Sequence, residues 1–529
     1  MSTTAAPPEQ PVGSARPGAI PRVVAALLGV LGVGLALGVG HLVAALAAPS
    51  SSPFLAVGDT VIRFSPQFLT EFAKNTFGTA DKPVLLAGMG VVILGIAAAA
   101  GIAARRRPAP GLLIVVAMGV LGLLAVWFSP TFGSLSLLAP TASLVAGVVG
   151  FGLLHRVASR VYAPAPSGGP AVSRRGLLIG SSAAVGVGAL ASAGVGVLRG
   201  DGIAGSRAAV TARLAQIPLA ETAPPIPAAA AFPESGSVPF ITSNADFYRV
   251  DTALQLPTTT AESWSCRIGG MVDNPITLTF EDLLSRPLVE RTITMTCVSN
   301  EVGGPYISTA NFIGVELRDV LMEAGVQPGA TQVLSTSRDA WTAGSPTDVI
   351  MEPDRGALIA VGMNGEALPP EHGFPVRLIV PGLYGFLSAT KWLESIELTT
   401  FEAEQGYWLQ RGWGQFAPIK TQSRIDSPKP FGRATAGVVT IAGIAWSQPI
   451  GISKVEVRMD QGPWREAELA AEVNDSTWRV WRIDYELGPG SHTVQCRATD
   501  SDGVTQTAER AMPIPDGATG WPGTIFTVA

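Results

Sequence analysis

The hydrophobic and polar positions divide the chain into a strongly apolar first part and a mixed second part. Within the first part, runs of residues without Asp, Glu, Lys or Arg are long enough to cross a bilayer, and short polar loops separate them. Residues 1–20, rich in Pro and Ala, are predicted to be a disordered tail. Five membrane-spanning helices are predicted within residues 21–198, at 23–48, 83–104, 110–128, 135–154 and 176–198.

Basic residues indicate the orientation of these spans. Residues 1–200 carry 13 Lys and Arg, and nine of the 13 lie before the first span, between the second and third, or between the fourth and fifth. The nine are Arg16, Arg22, Arg105, Arg106, Arg107, Arg156, Arg160, Arg174 and Arg175. Because positive loops stay in the cytoplasm, a multi-pass protein of the bacterial cytoplasmic membrane is predicted. Its N-terminus is cytoplasmic, and everything after residue 199 lies on the extracytoplasmic face.

The fifth predicted span has an unusual beginning. Ser173-Arg174-Arg175 precedes a weakly hydrophobic run that is rich in Gly, Ala and Ser. This segment, residues 173–198, resembles a twin-arginine export signal placed inside the chain. The alternative is that the two arginines only follow the positive-inside rule. Twin-arginine export moves folded proteins, which suits a domain that receives a cofactor in the cytoplasm.

The second part of the chain alternates short strand-like and helix-like patterns. Residues 199–240 are predicted to be an Ala/Pro-rich linker, and residues 241–425 an α+β domain. From residue 430 to 529 strands alternate with turn residues, which predicts an immunoglobulin-like β-sandwich. Its predicted strands are Val438–Trp446, Ser453–Met459, Thr477–Ile483 and Ser491–Ala498.

Composition separates the same two parts and excludes several classes of protein. Of the 529 residues 47% are hydrophobic and 15% charged, with a net charge of -5. Residues 1–200 hold 13 basic against 4 acidic residues, whereas the remainder holds 23 against 37. A basic apolar part followed by an acidic polar part is typical of a membrane anchor with an attached domain. It argues against nucleic acid as a partner, because the polar part lacks a basic surface composition.

The spacing of the cysteines and histidines excludes several kinds of cofactor site. Cys266, Cys297 and Cys496 form no CxxC or CxxCH motif, which excludes a disulfide scaffold, a cysteine-ligated iron–sulfur cluster and a c-type haem. His41 and His155 are predicted near opposite ends of their spans, too far apart to ligate one haem. The predicted bundle is therefore interpreted as an anchor or docking surface in membrane lipid.

The segment from Thr292 to Asn300 is the most informative part of the polar region. A β-rich run ends at Cys297, which small polar residues follow. The residues alone allow three interpretations of this cysteine: a buried core thiol, a catalytic nucleophile, or a ligand of a soft metal. A nucleophile would need a histidine base, and only His372 and His492 lie in this part of the chain.

Three further motifs resemble a known family. They are Asn244–Arg249, His372–Gly382 (which reads His-Gly-Phe-Pro-Val-Arg-Leu-Ile-Val-Pro-Gly) and Lys391-Trp392-Leu393. Together with Cys297 they resemble the molybdopterin-binding domain of the sulfite oxidase family over about residues 241–425. The segment after residue 430, with Gly443–Ser447, looks like that family's dimerisation domain. None of the membrane part belongs to the resemblance.

The resemblance implies a cofactor and roles for particular residues. The implied cofactor is molybdenum with an oxo group and one pyranopterin dithiolene. Cys297 matches the thiolate that ligates molybdenum, and Arg249 an arginine that binds an oxyanion at the open side of the metal. Residues matching the cofactor-binding segments are His372, Arg377, Lys391, Phe247, Tyr248, Ser299 and Asn300.

Four residues, in three segments, depart from the pattern of sulfite oxidases. Glu301 and Val302 stand where the family has basic residues, and Trp413 occupies the place of a tyrosine beside the metal. Trp413 is accordingly predicted to be a catalytic-site residue. Gln448 follows Trp446-Ser447 where the family supplies an arginine. With one arginine in place of several, the predicted anion pocket has a weaker positive field.

The resemblance implies a molybdenum oxidoreductase that transfers an oxygen atom in a two-electron reaction, and the predicted spans imply that it is anchored in a membrane. It either oxidises a small oxyanion such as sulfite or reduces an S-oxide or N-oxide. A different class of answer is a non-catalytic docking subunit that keeps the fold. The expected partners are a cytochrome or quinone-linked electron carrier at the membrane and, as an assembly, a homodimer.

Overall fold

The computed structural model describes residues 19–66, 80–162 and 200–529, together with residues 69, 72–73 and 76–77. The chain divides into two compact units, residues 1–199 with 253–255, and residues 200–252 with 256–529. Most of the predicted N-terminal tail, the twin-arginine segment and the fifth predicted span lie outside the described residues. Those three assignments therefore remain predictions.

The described residues of the first unit contain four helices that are long and apolar enough to cross a membrane. They match the first four predicted spans closely. A shorter helix, α2, follows the first of them. The five helices are α1 (Arg22–Ala47), α2 (Pro53–Phe64), α3 (Asp81–Ala103), α4 (Ala109–Trp127) and α5 (Leu138–Tyr162).

Small residues let the long helices approach one another. A Cβ atom added at Gly29 of α1 would lie 2.0 Å from the carbonyl oxygen of Ala97, and one at Gly101 of α3 would lie 1.9 Å from that of Ala25. Only glycine fits this α1–α3 contact, as is usual where membrane helices pack backbone to backbone. Large apolar side chains such as Val91 and Leu113 are 71% exposed on the bundle. Such a surface suits contact with lipid.

The segment predicted as a linker is folded over its described residues, 200–240. Residues 200–214 form helix α6, whose Val210 and Leu214 are buried in the core of the following domain. Farther along, Glu221 pairs with Val289 of a core strand, and Phe240 is buried. The linker prediction is wrong for these residues, because their apolar side chains are used in tertiary contacts that Ala/Pro-rich composition does not reveal.

Two sheets and short helices build the α+β domain that the sequence predicts. One sheet has the order β2-β1-β10-β5-β6, and the other has β3-β4-β7-β8 with β9 beside β7. The strands are β1 (Ser265–Gly270), β2 (Ile276–Thr279), β3 (Val289–Thr296), β4 (Ile307–Glu316), β5 (Gln332–Ser337), β6 (Thr342–Pro346), β7 (Leu358–Met363), β8 (Glu366–Ala367), β9 (Arg377–Ile379) and β10 (Leu393–Thr399). The helices are α7 (Phe280–Leu284), α8 (Leu317–Ala324), α9 (Thr347–Met351) and α10 (Gly385–Ser388).

Local sequence explains where some of these elements begin. Helix α7 starts at a capping box, in which the Thr279 hydroxyl accepts from the Asp282 backbone N–H and the Asp282 carboxylate accepts from the Thr279 N–H. Helix α8 ends at Gly325, whose φ of 71° suits a glycine. These elements cover a core of buried aliphatic and aromatic side chains that extends between the two sheets.

Two further sheets form the C-terminal domain, and they share one buried core. Their orders are β11-β13-β17-β16 and β12-β19-β18-β14-β15. The predicted strands are confirmed with small shifts of their ends. The strands are β11 (Gln422–Ser427), β12 (Arg433–Ala434), β13 (Gly437–Trp446), β14 (Ile452–Met459), β15 (Arg465–Glu466), β16 (Glu468–Leu469), β17 (Arg479–Leu487), β18 (Gly490–Asp500) and β19 (Gly523–Val528).

Candidate functional site

Cys297 directly follows strand β3 and begins a tight turn. The strand ends at Thr296, and the backbone N–H of Cys297 donates to the Tyr306 carbonyl at 3.0 Å, which closes the turn between β3 and β4. The Cys297 Sγ lies 3.0 Å from the Ser299 hydroxyl. Asn300 stabilises the turn, because its Oδ1 accepts from the Tyr306 N–H at 2.8 Å. Ser299 and Asn300 thus lie in the same turn as Cys297.

The other two cysteines occupy core positions. Cys266 is 1% exposed and Cys496 is fully buried, and all three thiols are free. Burial raises the pKa of both the Cys266 and the Cys496 thiol to about 12. At neutral pH these two groups are therefore protonated and unsuited to bind a metal. Cys297 differs in that it directly follows a strand, in a polar turn, and is 9% exposed.

His372, Arg377 and Lys391 converge on one short turn, Pro370–His372. The Arg377 guanidinium donates to the His372 carbonyl at 3.1 Å, and the Lys391 ammonium donates to the Glu371 carbonyl at 3.0 Å. Gly373 follows this turn with a φ of 111°, and an added Cβ would lie 3.1 Å from atoms of Arg377 and Lys391. A glycine is therefore needed for the turn to lie between the two cations.

Burial controls the charge of these three groups. It lowers the pKa of His372 to about 4, and the nearby positive charges of Arg377 and Lys391 add to this effect. The His372 ring is therefore neutral at pH 7, with Nε2 hydrogen-bonded to the Asn244 carbonyl at 3.0 Å. Burial also lowers the pKa of Arg377 to about 10 and that of Lys391 to about 8. Both remain largely cationic at pH 7, and a buried anion beside them would be strongly stabilised.

The Asn244–Arg249 segment covers this turn. Phe247 packs its ring edge-to-face on His372, with centroids 5.3 Å apart, and stacks on Tyr248 at 5.4 Å. Burial raises the pKa of Tyr248, and the charge of Cys297 raises it further while that of Arg377 opposes. Tyr248 is therefore within electrostatic reach of both the thiol and the guanidinium, and it joins the two parts of the site.

Arg249 lies at the exposed rim, where it is already paired. Its Nε donates to the Asp251 carboxylate at 2.8 Å, and Lys391 binds the same carboxylate oxygen at 3.0 Å. The Arg249 side chain is 41% exposed, whereas that of Asp251 is only 5% exposed. Sequence reasoning missed Asp251; its signal was a lone carboxylate two residues after the predicted anion-binding arginine.

Trp413 lies in an aromatic cluster that also contains Val298, the residue after Cys297. Its ring contacts those of Phe386 and Trp408, with centroids 5.7 and 6.0 Å away. The same cluster contains Tyr384, whose pKa is raised by burial, although a hydrogen bond with the Lys420 backbone opposes this effect. Tyr384 was missed, although it directly follows Pro381-Gly382-Leu383 in the motif region.

Several buried polar atoms of the site lack a hydrogen-bond partner among the described residues. They are the Asn300 Nδ2, the Arg377 Nε and the Thr296 Oγ1. Unsatisfied buried donors of this kind indicate a place for a polar ligand. The described residues contain no group of three His, Cys, Asp or Glu that could hold a metal ion by itself. A metal bound at the Cys297 thiolate would therefore need ligands from a cofactor, and the cations fit an anionic group on such a cofactor.

Comparison with known proteins identifies the domain in which most of these residues lie. The family model of the oxidoreductase molybdopterin binding domain matches residues 253–408, which contain Cys297, His372, Arg377 and Lys391. Human mitochondrial sulfite oxidase is 29% identical over 330 residues, covering 53% of this chain. The match spans 60% of that protein, so this chain covers well under the full length of its sulfite oxidase relatives.

Two further proteins are similar over different lengths. The uncharacterized oxidoreductase YuiH of Bacillus subtilis is 35% identical over 150 residues, which cover 28% of this chain and 72% of that protein. The crystal structure of the sulfane dehydrogenase SoxCD from Paracoccus pantotrophus covers 58% of this chain and 88% of that one, with 22% identity and a TM-score of 0.49. On the matched domain and these sequence relatives, the chain belongs to the sulfite oxidase family of molybdopterin-binding oxidoreductases.

Proposed function

We propose that this protein is a membrane-anchored, extracytoplasmic molybdenum oxidoreductase in which Cys297 ligates the metal. One observation carries the proposal: the Cys297 thiol and the buried Arg377 guanidinium both lie within electrostatic reach of Tyr248, inside the segment that the family model matches in the case of Cys297 and Arg377. Buried polar atoms without a partner among the described residues occur at both places, on Thr296 and Asn300 near the thiol and on Arg377 itself. The cofactor proposed is molybdenum with an oxo group and one pyranopterin dithiolene. When bound, it supplies two-electron oxygen-atom transfer, and the protein supplies binding and orientation.

The side chains of the site would divide this work between them. Arg377 and Lys391 neutralise the phosphate of the pterin, and neutral His372 offers a hydrogen bond without adding charge. Phe247 holds the His372 ring in place, and the Asn300 amide and Arg377 Nε provide donors that no described residue uses. Trp413 and Tyr384 form an aromatic wall next to the Cys297 turn, which keeps bulk water from that side.

The substrate that we propose is a small oxyanion or an S-oxide or N-oxide. Arg249 is the cation at the exposed rim, and its pairing with Asp251 reduces the field available to attract an anion. The reaction could therefore run as oxidation of an oxyanion such as sulfite or as reduction of a neutral oxide. Steady-state assays of the loaded enzyme with a redox dye, in both directions, distinguish these substrates directly.

Metal and pterin analysis of the detergent-purified full chain tests the proposed function. Molybdenum and pterin in equal amounts, near one of each per chain, are expected. Absence of both from protein made in a host that loads other molybdoenzymes would contradict the proposal. That result would favour a non-catalytic docking subunit that keeps the fold.

The proposed location rests on the arginine distribution and on the apolar helices. Export of the catalytic part is proposed to depend on Arg174 and Arg175, because the cofactor is inserted into folded protein before translocation. Changing both to Lys should leave the soluble part in the cytoplasm while the first spans still insert. Unchanged surface activity in that double variant would contradict the twin-arginine proposal.

The partners proposed are membrane lipid and an electron carrier, either a cytochrome or a quinone-linked protein at the same membrane face. The C-terminal sandwich is proposed to be an immunoglobulin-like, dimerisation-type domain, so that two copies form a homodimer. Light scattering of the purified protein, corrected for bound detergent, would test this assembly.

A further inference from the structure

Strand β3 is the edge strand of its sheet, yet its outer edge is not left open. It pairs with β4 on one side, so Glu290, Thr292 and Thr294 direct backbone groups to the other side. Near the beginning of the strand, the Glu290 N–H donates to the Glu221 carbonyl at 2.8 Å. The half of β3 that leads to Cys297 is covered differently, by the C-terminal sandwich.

Four hydrogen bonds connect the sandwich to this half of β3. The Thr294 N–H donates to the Ser476 carbonyl at 3.0 Å, and its hydroxyl accepts from the Trp478 N–H at 2.8 Å. The Gln448 amide donates to the Thr294 carbonyl at 3.3 Å, and the Asn474 amide donates to the Thr292 carbonyl at 3.1 Å. Since Gln448 is 1% exposed and Thr294 is 1% exposed, water does not replace these partners easily.

The sandwich also holds the turn that follows. The Arg424 guanidinium of β11 donates to the Gly304 carbonyl at 3.3 Å, within the turn that Cys297 begins. Arg424 is itself fixed by Asp426 at 2.7 Å. The sandwich therefore contacts both the strand that leads to Cys297 and the turn that follows it.

We infer that the C-terminal sandwich fixes the register of β3 and so positions the Cys297 thiol, with Gln448 and Asn474 as the positioning residues. A strand held on one edge can fray from its sheet, whereas one held on both edges must break contacts on both sides to move. The inference rests on the proposed function only in treating Cys297 as the metal ligand. The strand geometry itself does not depend on a cofactor.

The test uses the full chain in detergent, made in a host that cannot synthesise molybdopterin. Gln448→Met keeps the size of the side chain and removes its amide, and Asn474→Asp keeps the oxygen that accepts from the Ser476 N–H while removing the donor. The matched control is Gln495→Met, because Gln495 lies in the other sheet of the sandwich and bonds Arg458. Two rates are measured below the melting temperature: alkylation of each cysteine, and hydrogen exchange of the peptide that contains β3.

Loss of one such hydrogen bond should raise local opening of the strand by about 2- to 13-fold. We therefore expect Cys297 alkylation and β3 exchange to rise by that factor in Gln448→Met and Asn474→Asp, with Cys266 and Cys496 unchanged. The Gln495→Met control should behave as the wild type. Equal rates in all four proteins, or equal increases at all three cysteines, would overturn the inference.

A measurement on the wild type needs no variant. The Thr294 amide should exchange as slowly as amides of interior strands such as β4 and β13, because its N–H is bonded across the domain boundary. Fast hydrogen exchange of the Thr294 amide in the folded protein would mean that the sandwich does not hold the strand. Molybdenum content plays no part in either readout, so failure here is separate from failure of the proposed function.

Discussion

His372 and His492 show how surroundings move the same side chain in opposite directions. Burial and two neighbouring cations lower the pKa of His372 to about 4, whereas a hydrogen bond to Asp460 raises that of His492 above its ordinary value. The sequence offered no basis for this contrast, because the partners come from distant segments. It did identify His372, since a motif marked it, but not the charge state that determines its role.

These two histidines should give opposite pH effects on stability. An unfolded chain protonates His372 near pH 6.5 but the folded protein only near pH 4, so stability is lost as pH falls through this window. The melting temperature of His372→Gln should therefore fall less than that of the wild type as the pH is lowered from 6.5 to 4. The charged form of His492 stabilises the folded protein. His492→Gln should therefore be less stable than the wild type at low pH and equally stable above the raised pKa. Melting temperatures of cofactor-free protein check both signs, and parallel curves for the two variants would contradict them.

Arg377 provides the clearest single test of the cationic group. Arg377→Ala removes a buried guanidinium whose Nε has no described partner, and a charge-assisted contact is worth about 1.5–3 kcal/mol. We expect molybdenum and pterin occupancy to fall steeply, consistent with roughly 10- to 100-fold weaker retention. Arg318→Ala is the control, because Arg318 bonds the Met351 carbonyl in the same domain. Full occupancy in Arg377→Ala would place that residue away from the cofactor.

At the scale of elements, apolar periodicity predicted most of what the structure contains. The first four spans and the end of β3 before Cys297 follow from uninterrupted apolar or β-branched runs. The apolar pattern did not predict that residues 200–240 are folded, because their few buried residues are spread among Ala and Pro. Tyr384 and Asp251 were missed for a related reason. Long-range packing brings them to the site, and no local sequence pattern predicts that placement.

A truncation checks whether residues 200–240 belong to the folded domain. Val210, Leu214 and Phe240 are each at most 6% exposed, and burying such side chains contributes about 1.5–3 kcal/mol each. A chain that begins at residue 200 should fold as a soluble protein, whereas one that begins at 241 should aggregate or melt at a much lower temperature. Circular dichroism melting compares the two. Equal melting temperatures would mean that residues 200–240 serve only as a linker.

At the scale of the whole molecule, the chain combines an apolar first part, which contains four helices able to cross a membrane, with an acidic part that holds the molybdopterin-binding domain. The four described apolar helices support insertion in a membrane, and the side on which the catalytic part lies is inferred from the arginine distribution. This inference depends on an odd number of spans, and hence on the fifth one.

Topology can be measured on intact spheroplasts. With an epitope tag after Ala529, added protease should remove the tag signal while a cytoplasmic marker protein stays intact. A version lacking residues 173–198 should keep its tag protected, because the number of spans becomes even. Protection of the tag in the unaltered protein would contradict the extracytoplasmic assignment.

The ligation of molybdenum by Cys297 is the central claim, and X-ray absorption at the molybdenum edge tests it most directly. In the loaded wild type the metal should show the Cys297 sulfur in addition to the two dithiolene sulfurs. Cys297→Ser should show one sulfur fewer and lose the sulfur-to-molybdenum charge-transfer absorption, because serine offers a harder oxygen donor. Cys266→Ser and Cys496→Ser should match the wild type, since both thiols are buried and protonated. An unchanged sulfur count and absorption in loaded Cys297→Ser would contradict the account.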